Sequence, residues 1–150
     1  MKRDYAASAP KLSPQADRTT SMQQFVDVLW ESLRDRGVSW IGFYLRDGES
    51  ELTLGPRRNK PACSPIGLHG VCGRAFLSGE PMVVRDVADL GDQYIACDPR
   101  DRSEVVIPLF DDAGECYGVL DVDSHEVGAF DKEDVEGLRM LLLSAKLTTR

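Results

Sequence analysis

Histidine is scarce in this chain, and the paired cysteines of zinc sites are absent. Only two of the 150 residues are histidines, and none of the four cysteines forms a Cys-x-x-Cys pair. Structural zinc sites usually take their ligands from such closely spaced pairs. We therefore predict no metal site.

Basic charge and long apolar runs are also lacking. The 18 lysines and arginines are outnumbered by 25 acidic residues, which gives a formal net charge of −7. Because binding to a phosphate backbone needs clustered basic side chains, we expect no nucleic-acid partner. No apolar run is long enough to cross a bilayer, and no apolar stretch follows the basic N-terminus as in a secretory signal. We expect no membrane association and a cytoplasmic location, where cysteines are normally thiols.

What is present suits one packed domain. Hydrophobic residues make up 42% of the chain and charged residues 29%, which are ordinary fractions for a globular protein. Residues 1–20 are rich in serine, alanine, proline, threonine and charge, and they predict an N-terminal tail with room for a helical piece. Residues 21–150 are then predicted to form a single domain.

Hydrophobic periodicity and turn residues predict the elements of this domain. The first helix is expected to begin at Ser21, which has capping-box spacing to Gln24, and to end at Gly37. Further along the chain we expect strands over 39–46, 51–55, 63–66, 82–84, 103–110 and 116–124, a short helix over 71–77 that stops near Gly79, a polar loop over 85–101 and a last helix from Asp131.

This order of elements favours an α+β fold, in which helices cover one face of an antiparallel sheet. Alternation along the first strand directs Ile41 and Phe43 to one face and Trp40 and Tyr44 to the other. The second face is also expected to carry three acidic residues, Glu104, Asp121 and Asp123. A sheet face with two aromatic and three acidic side chains indicates the wall of a pocket rather than a core.

Three cysteines, Cys63, Cys72 and Cys97, are candidates for redox chemistry. A thiolate can attack an electrophilic sulfur, and a second thiol can resolve the product as a disulfide. Arg100 and Arg102 favour a low thiol pKa at Cys97, whereas the negative charge of Asp98 opposes them. Cys72 competes with Cys97 as nucleophile, because it lies at a predicted helix N-terminus, where the helix dipole lowers a thiol pKa. The alternative for each is an inert cysteine in a loop or core.

Asp121 and Asp123 are two residues apart in a strand and therefore share a face. Glu104 from a neighbouring strand would add a third carboxyl, and like charges that close raise at least one pKa. A protonated acid can hydrogen-bond an S–O oxygen and donate a proton as that bond breaks. The alternative is a solvated polar edge. Trp40 and Tyr44 likewise suit either sulfur–aromatic contact with a ligand or ordinary sheet packing.

Six segments occur in the order in which a known enzyme family has them. They are Trp40-Ile41-Gly42-Phe43-Tyr44-Leu45, Gly55-Pro56 with Lys60-Pro61-Ala62-Cys63, Gly70-Val71-Cys72-Gly73, Ile95-Ala96-Cys97-Asp98, Ser103-Glu104-Val105-Val106, and Val119-Leu120-Asp121-Val122-Asp123-Ser124. Over residues 38–131 the chain resembles the free methionine-(R)-sulfoxide reductases, which are small GAF-domain enzymes. It differs from their pattern at Tyr94, where the family usually has histidine, in the run Arg57–Asn59, and in the additional Cys116, which we assign a structural role.

The resemblance implies a GAF fold, with a six-stranded antiparallel sheet flanked by helices. It implies the reduction of free L-methionine-(R)-sulfoxide to L-methionine, with no bound cofactor. It also implies NADPH-linked thioredoxin as electron donor and partner. The oligomeric state stays open, with a homodimer as one option.

The resemblance also assigns roles to the candidate residues. It implies that Cys97 is the nucleophile and becomes a sulfenic acid, that Cys63 is the main resolving thiol, and that Cys72 is a second resolving or relay thiol. The acids that it implies for binding and protonating the sulfoxide oxygen are Glu104, Asp121 and Asp123. Trp40 and Tyr44 are implied to enclose the methyl–sulfur end of the substrate.

Two alternatives remain for the same residues. A GAF domain can bind a small ligand as a non-catalytic sensor, because a fold does not fix the chemistry of its sites. A thiol redox switch would form a Cys63–Cys97 disulfide and control a partner instead of turning over a substrate.

Overall fold

The computed structural model describes residues 3–94 and 97–150 of the chain. In chain order the elements are a 3-10 segment at Tyr5–Lys11, α1 at Arg18–Leu33, β1 at Trp40–Asp47, β2 at Glu51–Arg58, β3 at Ile66–Gly67, α2 at Val71–Ser78, β4 at Met82–Val84, a second 3-10 segment at Val87–Gln93, β5 at Ser103–Phe110, β6 at Cys116–Ser124 and α3 at Lys132–Ser144. None of these helices combines the length and the apolar character needed to cross a membrane.

The strands form one six-stranded sheet in the order β3-β2-β1-β6-β5-β4. Every neighbouring pair is antiparallel. The predicted α+β class, with a six-stranded antiparallel sheet and flanking helices, is therefore confirmed. The first half of the sheet (β1–β3) and the second half (β4–β6) meet along the central pair β1–β6.

One face of the sheet packs against α1 and α3. Ile41 and Phe43 of β1 belong to this core, and Phe25 of α1 meets the Phe43 ring edge-on at a centroid distance of 5.7 Å. Leu138 and Leu142 contribute the apolar stripe of α3. The alternation predicted for β1 is therefore confirmed on this face.

The other face is covered in part by α2. Its buried residues Val71, Cys72 and Ala75 pack in one cluster with Trp40 and Tyr44 of β1. The prediction that helices cover only one face is therefore wrong. A helix with an apolar side must bury it, and the second sheet face supplies the partner surface.

Most predicted element limits are confirmed within one or two residues, the usual uncertainty of helix and strand ends. α2 ends just before Gly79, whose φ of 71° gives the left-handed cap expected there. β2 continues to Arg58, beyond the predicted end at residue 55, because Arg58 still pairs with Ile41 of β1. β3 begins at Ile66 rather than at Cys63.

The predicted start of α1 at Ser21 is wrong. The helix begins at Arg18, because the carboxylate of Asp17 accepts a hydrogen bond from the Thr20 backbone N–H at 2.8 Å. Ser21 is buried inside the helix, and its hydroxyl accepts a hydrogen bond from the Gln15 backbone N–H. The capping-box pattern therefore predicted the helix start to within about one helical turn but identified the wrong capping residue.

The segment before α1 packs against α3. The Tyr5 hydroxyl donates a hydrogen bond to Asp134 at 2.5 Å, and Arg3 pairs with the same carboxyl at 2.9 Å. Burial, followed by the hydrogen bond and charge of Asp134, raises the pKa of Tyr5. A helical piece therefore exists within residues 1–20, and it contributes to the core. The division between a tail and a domain at residue 20 stays a prediction.

Gly42 in β1 occupies a position without room for a side chain. A Cβ atom there would lie 2.2 Å from the outer ring of Trp40 and 2.8 Å from the Cβ of Arg57. The glycine therefore allows the Trp40 indole to lie close along its own strand.

We expect Gly42→Ala to lower the free energy of unfolding by about 1–3 kcal/mol, because the indole must leave its position. Gly55→Ala in β2 is the matched control, since its Cβ would meet its nearest neighbours at 3.4 Å, an ordinary contact. Urea unfolding of both variants measures the difference. Equal stability of the two variants would contradict this account.

Candidate active site

The register of three neighbouring strands brings the predicted acids together. Trp40 of β1 lies opposite Asp123 of β6, and Asp123 lies opposite Glu104 of β5. Asp121 lies two residues before Asp123 in β6, opposite Gly42 of β1. Because directly opposite residues share a sheet face, these side chains form one group at one end of the central strands.

Glu104, Asp121 and Asp123, hereafter the carboxyl trio, are buried rather than solvated. Their exposed fractions are 6%, 5% and 9%. Burial raises the pKa of all three, and the neighbouring negative charges raise the pKa of Asp121 and Asp123 further. In Glu104, hydrogen bonds with the other two acids oppose the effect of burial on the pKa. The trio therefore retains protons at a higher pH than ordinary carboxyls do.

Two oxygen atoms of the trio lack hydrogen-bond partners within the part of the chain that the structure describes. Oε1 of Glu104 and Oδ1 of Asp121 are buried and have no hydrogen-bond partner among the described residues. Buried oxygen atoms usually have a hydrogen-bond partner. Two such atoms without a partner beside a cavity indicate a place where a ligand can donate hydrogen bonds. The alternative reading of the trio as a solvated edge is excluded by its burial.

The trio lines a cavity with about 430 Å³ of empty space, part of it open to solvent. Its lining residues are Trp40, Tyr44, Ala62, Ile66, Val71, Cys72, Tyr94, Cys97, Asp101, Glu104, Asp121 and Asp123. All of the residues predicted for the site line it except Cys63. An apolar cavity with a few convergent polar groups is the usual form of a small-molecule site.

Trp40 and Tyr44 form one wall of the cavity and also hold a loop in place. Their ring centroids are 6.1 Å apart, and both side chains are buried. The indole N–H of Trp40 donates to the Lys60 carbonyl at 2.8 Å, and the Tyr44 hydroxyl donates to the Cys63 carbonyl at 2.7 Å. Both aromatics therefore fix the segment that carries Cys63. The sequence gave no indication that these two side chains also hold this loop by hydrogen bonds.

Cys63 and Cys97 are joined in a disulfide, with their Cα atoms 5.6 Å apart. Both residues are exposed, and Cys97 also lines the cavity. From the expected cytoplasmic location, all four cysteines were predicted to be thiols. Cys63 and Cys97 differ from that prediction, because they form a disulfide. Ile95 and Ala96, which precede Cys97 in the predicted motif, lie outside the described residues.

Cys72 has the opposite environment to the one predicted. Burial raises the pKa of its thiol, and the negative charges of Glu104 and Asp123 raise it further, whereas a hydrogen bond with Asp121 acts against them. The predicted lowering of this pKa by the helix dipole is therefore wrong, because desolvation and the acids outweigh it. The residue-based case for Cys72 as nucleophile loses its basis. Cys116 is half-buried, and burial likewise raises the pKa of its thiol.

Asp98 organises the loop that follows Cys97. Its carboxylate accepts hydrogen bonds from the Arg100 guanidinium at 3.1 Å and from the Lys60 ammonium at 2.6 Å. The bond with Arg100, followed by the bond with Lys60, holds the pKa of Asp98 well below its usual range. Arg102 donates to backbone carbonyls of the same loop. The two arginines predicted to act on Cys97 are therefore engaged within the loop.

Asp101 is a site residue that sequence reasoning missed. It is 6% exposed, it lines the cavity, and its Oδ1 atom has no hydrogen-bond partner among the described residues. His125 Nε2 lies 3.7 Å from that atom. Burial, followed by the charge of Asp98, raises the pKa of Asp101 to about 6, whereas His125 lowers it. Its only sequence signal was its position three residues before Glu104.

Among the residues that the structure describes, two groups of side chains have the spacing of metal ligands. Cys72, Glu104 and Asp121 form the first group, with ligand atoms within 4.8 Å of one another. The raised pKa values mean that a metal ion would have to displace protons from all three. The second group is Asp98, Asp101 and His125, where Asp98 is already paired with cations. The absence of a metal stays a prediction.

We expect Asp101→Asn to stabilise the protein at pH 8 by about 1–3 kcal/mol. The pKa of Asp101 in the folded protein, about 6, lies above its usual value of 3.8, so the folded state binds this proton more tightly. The resulting stability is fully present below pH 3.8 and is lost as pH rises through 6. Thermal unfolding from pH 3.5 to 8 measures the difference between variant and wild type. An Asn variant that is stabilised equally at both ends would contradict the assignment, and exposed Asp112→Asn serves as control.

Comparison with known proteins gives consistent matches. The GAF domain family matches residues 15–145. The free methionine-R-sulfoxide reductase of Escherichia coli (strain K12) is 42% identical over 117 residues, which cover 77% of this chain and 67% of that protein.

Two solved structures have the same fold. The reduced form of fRMsr of Staphylococcus aureus matches with a TM-score of 0.85 at 32% identity, over 96% of this chain and 94% of that one. Free methionine-R-sulfoxide reductase from Neisseria meningitidis, in complex with its substrate, matches with a TM-score of 0.79 at 38% identity, over 95% and 81%. The GAF fold expected from the sequence motifs is confirmed, and the chain belongs to the GAF-domain family of free methionine-R-sulfoxide reductases.

Proposed function

We propose that this protein is an L-methionine (R)-S-oxide reductase that converts free L-methionine-(R)-sulfoxide to L-methionine. The observation that carries the proposal is that Cys97 and a carboxyl trio with raised pKa values line the same small cavity. The named relatives in this family support the substrate. A cavity with one aromatic wall and one acidic wall suits a ligand with an apolar methyl–sulfur end and a polar S–O bond.

The first step in this proposal uses Cys97. Its thiolate attacks the sulfoxide sulfur, the S–O bond of the substrate breaks, and the oxygen is transferred to the Cys97 sulfur, which becomes a sulfenic acid. The oxygen takes one proton from the trio, and methionine leaves with its sulfur reduced by two electrons. Protonation is effective here because a buried, protonated carboxyl lies where negative charge develops on the oxygen.

The second step converts the sulfenic acid to a disulfide, and reduction of that disulfide then restores the thiols. The Cys63 thiol attacks the sulfenic sulfur, an S–S bond forms, and the oxygen leaves as water. A dithiol reductant then reduces the Cys63–Cys97 disulfide, and we propose NADPH-linked thioredoxin for this role. The exposure of both cysteines supports access by such a protein. We assign Cys72 the role of a second, slower relay thiol, in keeping with its raised pKa.

A thiol redox switch is the second candidate function. The exposed disulfide supports it, because an oxidant and a partner can reach Cys63 and Cys97 directly. Peroxide-driven disulfide formation without methionine production would favour the switch. A ligand that stays bound through purification, with no reductase activity, would favour a GAF sensor. The cytoplasmic location, the absence of nucleic-acid and membrane partners, and the choice between monomer and homodimer stay predictions.

We expect Cys97→Ser to abolish reduction of the R sulfoxide, because serine cannot form the sulfenic acid. NADPH consumption with thioredoxin and its reductase measures turnover, with the separated R and S sulfoxides as substrates. Cys116→Ser is the matched control, since Cys116 does not line the cavity, and it should retain wild-type turnover. Absence of turnover in the wild type, or full turnover in Cys97→Ser, would reject the proposal.

We expect Asp121→Asn to lower kcat by about 10²–10⁴-fold, the usual contribution of a general acid. The amide keeps the shape of the side chain but cannot donate the proton. For the wild type, kcat should fall on the alkaline side as pH rises through the raised pKa values of the trio, because the proton donor is then lost, whereas any rise on the acid side follows from formation of the Cys97 thiolate. Steady-state rates from pH 6 to 10 test both points. A kcat that shows no fall up to pH 10 would argue against a proton donor.

A further inference from the structure

We propose that the ion pair between Lys60 and Asp98 positions Cys63 against Cys97 and stabilises their disulfide against reduction. The pair is a non-covalent link between the two loops that carry these cysteines. The inference rests on the proposed function only in taking Cys63 and Cys97 as a couple that is oxidised and reduced in each cycle.

The position of the pair in the chain is the first argument. Lys60 lies three residues before Cys63, in the connection between β2 and β3, and Asp98 directly follows Cys97. The Lys60 Nζ atom donates to Asp98 Oδ2 at 2.6 Å. The link therefore lies beside the S–S bond and joins the same two segments.

Both sides of the link are held in place by other contacts. The Lys60 backbone is fixed by the Trp40 indole N–H, and the Cys63 backbone by the Tyr44 hydroxyl. On the other loop, the Asp98 side chain is 12% exposed and accepts bonds from the Arg100 backbone N–H and guanidinium. The conformational entropy that is still lost when the ion pair forms is therefore mainly that of the Lys60 side chain.

The chemical consequence appears when the disulfide is reduced. Two electrons and two protons convert the S–S bond to two thiols, and the covalent link between the loops is lost. An ion pair that persists in the reduced protein keeps the thiols close and raises the effective concentration of Cys63 at Cys97. Disulfide formation becomes more favourable by the same factor. By reciprocity, oxidation strengthens the ion pair equally.

The expected size is modest, because Lys60 is 41% exposed and water screens its charge. We expect loss of the pair to lower the equilibrium constant for disulfide formation about three- to tenfold. Since tenfold corresponds to about 30 mV for a two-electron couple, the reduction potential should rise by about 15–30 mV.

The experiment is an equilibrium redox titration in glutathione buffers, read by alkylation of free thiols and carried out without sulfoxide. Lys60→Met removes the charge and keeps the length of the side chain. Arg100→Met is the matched control, because it removes an equal charge from the same carboxylate and leaves the link between the loops. We expect the full rise in potential for Lys60→Met and less than half of it for Arg100→Met.

Salt supplies an independent measurement. At 1 M salt the wild-type potential should approach that of Lys60→Met, whereas the variant's own potential should change little. Circular dichroism and thermal unfolding establish that each variant is folded. An unchanged potential in Lys60→Met would overturn the proposal, and so would equal shifts in the two variants.

The outcome is separable from the proposed function. A shift in Lys60→Met, in a protein that turns over no sulfoxide, would support the link and reject the reductase. Normal sulfoxide turnover, with identical potentials in Lys60→Met and wild type, would support the reductase and reject the link.

Discussion

The antiparallel pairing of β1 with β6 is the constraint on which the rest of the molecule depends. It joins the two halves of the sheet, and it sets Trp40 opposite Asp123 and Gly42 opposite Asp121. Because side chains alternate along a strand, a shift by one residue would turn both aspartates into the helical core and Val122 into the cavity. The hydrophobic core and the candidate site therefore specify the same register.

The burial of the carboxyl trio shows how stability and chemistry are connected here. Three carboxyls in one apolar setting cost free energy if they are charged, and they reduce that cost by keeping protons. In the proposed reaction, the same response lets them donate a proton at a pH where ordinary carboxyls are already ionised. α2 packs on this face of the sheet and therefore contributes to the burial that raises these pKa values.

Much of the fold was predictable because the strands alternate clearly and the turns carry strong signals. The faces of β1, the cap at Gly79 and the start of α3 after Asp131 all follow from local sequence. The start of α1 was not predictable, since Asp17 and Ser21 are both good capping residues; in the structure Asp17 caps the helix and Ser21 is buried within it. For the site, the spacing of the acids predicted a shared face. The environment of Cys72 depends on residues distant in sequence, so no local pattern could give it.

Cys63 lies at the surface outside the cavity, while Cys97 belongs to both the cavity and the surface. In the proposed cycle, an external thiol can therefore approach the disulfide from the solvent side without entering the space that holds methionine. Product departure and regeneration of the thiols then need no fixed order. In that cycle, reduction of the disulfide can begin before the methionine product has left the cavity.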